Sequence, residues 1–296
     1  MRTTGSVRLF SNKFVRREQE TRVSRARPII PPIKHKCAAA SARGDASCYT
    51  VRQLRALAAR ENVPLRRGDT KRDVVARLSA ALGSDQTKWP VPHRDEAFAP
   101  RCPRTWGANE REWLSNLDIE AVMTQYAKRY PSFRFLGVHP IDFGEVLRGG
   151  RCVSMCQLPS VNQARYGAIF NLDKHDESGS HWVAAYVDTR PRSKNYGVYY
   201  YDSTAQPIPS EIDQWARKIV AQQKDPKFGL NVNRERRQFK HTECGMFCMR
   251  FIIECVRGRA FRDVVHDPIY DDDVQLLRQH YYRCPEISSM TVNKRR

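Results

Sequence analysis

Four residues, His181, Asp202, Gln238 and Cys244, are of the types and in the order that acyl transfer requires. A Cys thiolate attacks a carbonyl carbon, an imidazole holds the proton and returns it to the leaving amine, and a carboxylate orients the imidazole. A side-chain amide N–H beside the backbone N–H of the Cys can hold the oxyanion. Singly, each residue has a plainer reading. Free Cys is among the most buried residue types. A His can be bonded to backbone in a core, an Asp can open a turn such as Asp202-Ser203-Thr204, and a Gln among Arg236, Arg237 and Lys240 can be a surface residue. The chemical reading rests on all four together. His241, three residues before Cys244, and His175, in the acidic stretch KHDESGS, are poorer bases.

The elements that must position these residues are also readable. Gln238 precedes Cys244 by six residues in QFKHTECGMFCMRFIIEC. The apolar run after Gly245 has no Gly or Pro, so it predicts a helix buried on most sides with Cys244 in its first turn. The N–H groups and positive dipole end there favour a thiolate. His181 opens HWVAAYVDT and Asp202 closes GVYYYDS, two apolar strand-like runs joined by the polar RPRSKNYG. As a hairpin they bring His181 and Asp202 to one end of a sheet. A helix is predicted over 110–129, strands near 152–158 and 165–172, a helix at 209–223, a short strand in FGLNVN, and a last helix over 271–282. Strands flanked by helices give an α+β class.

His-Trp at 181, the strand-end Asp202-Ser203, and Gln238-x5-Cys244-Gly-Met-Phe resemble the ubiquitin-like-protein protease family of cysteine peptidases. EREWLSNLDIEAVMTQY (Glu110 to Tyr126) resembles that family's opening segment, and Tyr130 to Phe143 its viral branch, of the African swine fever virus type. The resemblance spans roughly 108–290. It implies a papain-like, ubiquitin-like-protease fold with a central mixed β-sheet flanked by helices. It implies a triad of His181, Asp202 and Cys244, with Gln238 in the oxyanion hole. Trp113 and Trp182 match family Trp residues that narrow the substrate channel and select Gly at the scissile end. The implied activity is a cysteine endopeptidase, without cofactor, cutting protein substrates at Gly-Gly-X sites, as in maturation of viral structural polyproteins. The implied setting is the virion and infected-cell cytoplasm. Other readings are a SUMO or ubiquitin-like deconjugase tethered to chromatin in the nucleus, an inactive DNA-binding packaging protein, and an acyltransferase with the same residue set. The family's usual Asp aligns with Asn116, which puts any salt bridge of that Asp in doubt. The pair Gly149-Gly150 in VLRGGRC is a potential self-cleavage site, read here as a tight turn that the folded enzyme does not cut.

The chain has 296 residues and a net charge of +19, enough for one substantial core and a smaller module. The excess is forward: +8 in residues 1–45, +6 in 46–105 and +5 in the rest. A polyanion, DNA above all, is the partner that this charge fits. Residues 1–45, Arg- and Ser-rich with Pro28, Pro31 and Pro32, predict a disordered basic arm. No apolar core follows the basic start, so no secretory signal is read, and no run predicts a membrane span. Nine scattered Cys predict free thiols, and no Cys pair has zinc-ribbon spacing, so no metal is expected.

Residues 46–83 predict two amphipathic helices. Thr50 caps the first, with Val51, Leu54, Leu57 and Ala58 inward, and Asp69 or Thr70 caps KRDVVARLSAAL. With Val63-Pro64 and Gly68 between them, they resemble a SAP module, a small DNA-binding helical hairpin. That resemblance implies phosphate contacts from Arg66, Arg67, Lys71 and Arg72 at the second helix's N-terminus. Residues 84–107, with Pro90, Pro92, Pro100 and Pro103, predict a semi-rigid linker, and 291–296 a basic tail.

Overall fold

The computed structural model describes residues 37–38, 46–91, 97–107, 109, 111–146 and 164–284. Outside them lie most of the basic arm, the strand expected near 152–158, Gly149-Gly150, Cys152, Cys156 and the tail 291–296. Five strands form one mixed sheet in sequence order: β1 (Phe133–His139), β2 (Arg165–Asn171), β3 (Trp182–Asp188), β4 (Gly197–Tyr201) and β5 (Leu230–Val232). β2, β3 and β4 are antiparallel neighbours, while β1 joins β2 and β5 joins β4 in parallel. The parallel β4–β5 pair needs a crossover, which the helix at Ser210–Gln222 supplies.

Every residue of β3 and β4 is buried, which is why both read as continuous apolar runs. On one face, Phe170, Val183, Ala185 and Tyr200 pack with Ile212, Trp215 and Ile219 of the crossover helix. On the other lies the helix Cys244–Val256, whose Phe251 stacks on Tyr201 at 4.8 Å between ring centres. Gly167 of β2 allows the close approach: a Cβ there would sit 2.9 Å from Ile252 Cγ2. Of the 13 residues in this helix only Glu254 is not buried. In chain order the helices are α1 (Val51–Arg60), α2 (Lys71–Leu82), α3 (Asn116–Arg129), α4 (Ser210–Gln222), α5 (Cys244–Val256), α6 (Phe261–His266) and α7 (Asp271–Tyr281), besides single turns. The helix expected from 110 starts at Asn116, because Ser115 and Asp118 form a capping box that fixes its N-terminus. β1 and α6 were not predicted.

α1 and α2 form the expected hairpin, but its core is larger than two helices. Tyr49, Leu54, Leu57, Val74 and Leu78 pack with Trp89, Val91 and Phe98 from the stretch predicted as a linker. Trp89 stacks on Tyr49 at 6.2 Å and donates its indole N–H to the Gly83 carbonyl. So short a hairpin buries too little apolar surface alone, and these aromatic residues complete it. The expectation of only free thiols is also overturned. Cys37 is bonded to Cys48, and Cys102 to Cys284 across 182 residues. The second bond, with the Arg101–Arg283 bridge and the Arg283 guanidinium over Phe98, fastens this stretch to the end of α7. Cys244, Cys248 and Cys255 are free thiols, all buried. Among the described residues no helix is long and apolar enough to cross a membrane.

Candidate active site

β3 and β4 end side by side, with Ala184 opposite Tyr201, so His181 just before β3 faces Asp202 just after β4. The His181 Nε2 to Asp202 Oδ1 distance is 2.7 Å. Asp202 is fully buried and further accepts from the Thr204 N–H and hydroxyl and the Gln206 N–H. Asn233, just beyond β5, holds the backbone of Asp202 from both sides, its side chain accepting the N–H and donating to the carbonyl at 2.8 Å each. With Nε2 committed to Asp202, Nδ1 is the ring nitrogen left for the Cys244 thiol, with which His181 shares a side-chain hydrogen bond. Cys244 is the first residue of α5. Gly245 lets the helix start close to the wall behind it, since a Cβ there would be 3.0 Å from Leu114 Cδ1 and 3.3 Å from Trp182.

Burial pulls the His181 ring down from its ordinary value, but the bonds to Asp202 and Cys244 outweigh it and push the ring up to about 9. Burial pushes the Asp202 carboxyl up, and the bonds from His181 and Thr204 more than reverse this, leaving it below the usual carboxylate value. At neutral pH the pair is therefore an imidazolium on a carboxylate, ready to donate a proton. Burial raises the thiols of Cys248 and Cys255 far from ionisation. A protonated ring is kept below a raised value and lost as pH rises through it, so kcat/KM is expected to fall above about pH 9. Asp202→Asn removes the charge that holds the proton. It should move that alkaline limb to lower pH and reduce kcat/KM on the order of 10²-fold. A pH–rate profile checks this, and an unmoved limb would count against the assigned pair.

The loop from Gln238 to Glu243 is pinned on several sides. The Gln238 amide oxygen accepts from the Ser203 hydroxyl at 2.6 Å, and its Nε2 donates to the Lys240 carbonyl at 2.9 Å. An amide nitrogen has two N–H bonds, so one is left for an oxyanion. Asp271, the first residue of α7, accepts the backbone N–H of Phe239 and of Lys240. Arg111 reaches both the buried Glu243 at 3.2 Å and Asp272 at 2.8 Å, tying the loop to the segment that carries Trp113. Ser203, Asn233, Asp271, Glu243 and Arg111 were not found from sequence. Only Ser203 carried a local signal, as the residue following a strand-end Asp.

The two Trp residues part company. Trp113 is an exposed aromatic, whereas Trp182 is buried and donates its indole N–H to the Leu114 carbonyl at 3.1 Å. Trp182 is thus a wall behind the helix start. In the hairpin, Arg66, Arg67 and Arg72 are exposed, as are Arg52 and Arg55 of α1. Lys71 is half-buried, and its ammonium donates to the Ser47 carbonyl at 2.8 Å. The N-terminus of α2 is likewise occupied, by the capping box of Thr70 and Asp73. The Thr70 N–H meets the Asp73 carboxylate and the Asp73 N–H meets the Thr70 hydroxyl, while Arg66, Arg67 and Arg72 stay exposed beside them.

The profile of the C-terminal catalytic domain of the Ulp1 protease family matches residues 168–290. Over 184 residues the chain is 31% identical to a protein named as a thiol protease in Acanthamoeba polyphaga mimivirus, which covers 58% of this chain and 57% of that one. The chain thus spans little more than half the length of this relative. Over 191 residues it is 23% identical to the SUMO-1 cysteine protease of African swine fever virus, covering 59% of this chain and 69% of that one. The crystal structure of the African swine fever virus protease superposes with a TM-score of 0.61 at 19% identity, over 86% of this chain and 98% of that one. The fold is therefore the mixed-sheet α+β protease fold that the motifs implied.

Proposed function

We propose, from the match of residues 168–290 to the catalytic domain of the Ulp1 protease family, that the chain is a cysteine endopeptidase acting on protein substrates. The observation that carries the reading is His181 paired with the buried Asp202 and with Cys244 at the start of α5, with Gln238 on the loop that leads into that helix. His181 is bonded to the buried Asp202 and to Cys244, and Gln238 is held with one N–H to spare. Cys244 attacks the scissile carbonyl, the Gln238 amide and the Cys244 N–H hold the oxyanion, and His181 protonates the leaving amine. Water then attacks the thioester, with His181 as base. Gly-Gly-X is the proposed site, because residues without side chains suit a channel bordered by Trp113 and backed by Trp182. Structural polyproteins of a large DNA virus are the proposed substrates, in the virion and the infected-cell cytoplasm. Names of relatives support this: a mimivirus thiol protease and an African swine fever virus cysteine protease. A second reading, removal of a ubiquitin-like modifier, draws on the SUMO-1 protease name of the latter. A peptide library with sequencing of the new N-termini separates them. Cleavage after Gly-Gly in short peptides supports the first, and cleavage only of folded modifier conjugates the second.

Association with DNA through residues 1–83 is part of the same proposal, supported by the forward charge and the exposed arginines of the hairpin. The full chain is the right material for testing it. Truncation at residue 106 would remove Cys102 and uncover the Trp106–Tyr282 contact, disturbing the protease itself. Arg66→Glu, Arg67→Glu and Arg72→Glu combined should weaken binding to a DNA duplex. They should also lower the slope of log affinity against log salt by about 3, near one per phosphate contact. Anisotropy titrations across salt concentrations measure it, and an unchanged slope would remove the hairpin from the interface.

A further inference from the structure

A Gln amide serves an oxyanion only if it presents an N–H. Its two ends have nearly the same shape, and a half-turn exchanges donor for acceptor. Placed wrong way round, the amide oxygen would face the developing negative charge and repel it. Something must therefore choose the orientation of Gln238, and its neighbours do so.

The Lys240 carbonyl can only accept, so the atom 2.9 Å from it must be the amide nitrogen. The amide oxygen then faces the Ser203 hydroxyl at 2.6 Å, and that hydroxyl must donate. Ser203 is wholly buried and Gln238 is 2% exposed, so bulk water has no access to replace either contact. Ser203 is itself fixed, because its carbonyl accepts the backbone N–H of Arg237 at 2.8 Å and of Gln238 at 2.9 Å. It is also the residue after Asp202, so the turn that places the acid places the hydroxyl.

We propose that Ser203 is a positioning residue for the oxyanion hole, its hydroxyl locking the Gln238 amide with the free N–H toward the reacting carbonyl. This rests on the peptidase reading, with Cys244 as nucleophile and Gln238 as donor. Without the hydroxyl, the amide oxygen is left buried and unpaired, the Lys240 carbonyl alone holds the amide, and the amide can tilt away from the orientation that presents its second N–H.

The test is steady-state kinetics of the full chain on a Gly-Gly-X peptide that the wild type cleaves. Ser203→Ala is expected to lower kcat about 10- to 100-fold, somewhat less than outright loss of an oxyanion donor, with KM within about twofold. Alkylation of Cys244 by iodoacetamide should keep its wild-type rate and pH profile, since the hydroxyl touches neither His181 nor Asp202. In the Gln238→Ala background the same substitution should cost nothing further, because it acts only through that amide. Ser203→Cys, close in size with a weak donor, serves if the Ala variant fails to fold, and should lose an intermediate amount. A wild-type chain that cleaves no peptide and no modifier conjugate would count against the peptidase reading itself. A cleaving wild type with Ser203→Ala at full kcat, or with equal loss in the Gln238→Ala background, would overturn the role of Ser203 alone.

Discussion

Cys244→Ala is expected to abolish peptide cleavage, lowering kcat on the order of 10⁵- to 10⁶-fold, the scale seen when a covalent nucleophile is removed. No neighbouring group can substitute. Cys248 is fully buried, its thiol donates to the Trp182 carbonyl at 3.2 Å, and burial keeps it protonated. Cys244→Ser should be nearly as inactive, because an alkoxide forms far less readily than a thiolate. Cys255→Ala is the matched control. It lies at the other end of α5, eleven residues on, and should cost some stability while kcat stays at the wild-type level. Turnover by Cys244→Ala within tenfold of wild type would remove the nucleophile assignment.

His181→Ala should lower kcat on the order of 10⁴-fold, the upper range for a general acid–base. Among the described residues the ring is the only titratable group bonded to both Asp202 and Cys244, so its loss removes the proton donor for the leaving amine and the partner of the thiolate together. The alkaline limb near pH 9 should vanish with it, since that limb is the titration of this ring. Added imidazole should restore part of the rate if the cavity left behind admits it. Neither His175, bonded to Asp142 at 2.6 Å, nor His241 takes over, and His175 is tied to a different loop. A variant with an unchanged limb would show that another group supplies the proton.

The chemistry was legible because its residues sit at the ends of strongly patterned elements. An apolar run without Gly or Pro after Gly245 could only be a buried helix, and two continuous apolar runs with polar ends could only be central strands. β1 was missed because Gly137, at φ 112°, and the bulge between Phe135 and Gly137 break its alternation. The start of α3 was misplaced because EREW favours a helix, whereas Ser115 and Asp118 set the boundary three residues apart. Counting Pro in 84–107 suggested a linker and hid Trp89 and Phe98, whose side chains close the hairpin core. The disulfides were beyond reach for a plainer reason: Cys102 and Cys284 meet only once the whole catalytic region has folded between them. The same holds for the groups that aim the site. Asn233 acts on Asp202 from 31 residues away, Gln238 on Ser203 from 35, and Asp271 on Phe239 from 32. No local spacing reports such contacts.

The site of covalent capture tests Cys244 as the nucleophile most directly. A short peptide ending in Gly-Gly with a thiol-reactive electrophile in place of the scissile carbonyl would be incubated with the full chain at neutral pH, and the adduct mapped by peptide mass spectrometry. One adduct per chain is expected, on Cys244, lost in Cys244→Ala and slowed in His181→Ala. Adduct on another cysteine at equal rate, or none on Cys244 while the protein is folded and other thiol reagents reach it, would contradict it.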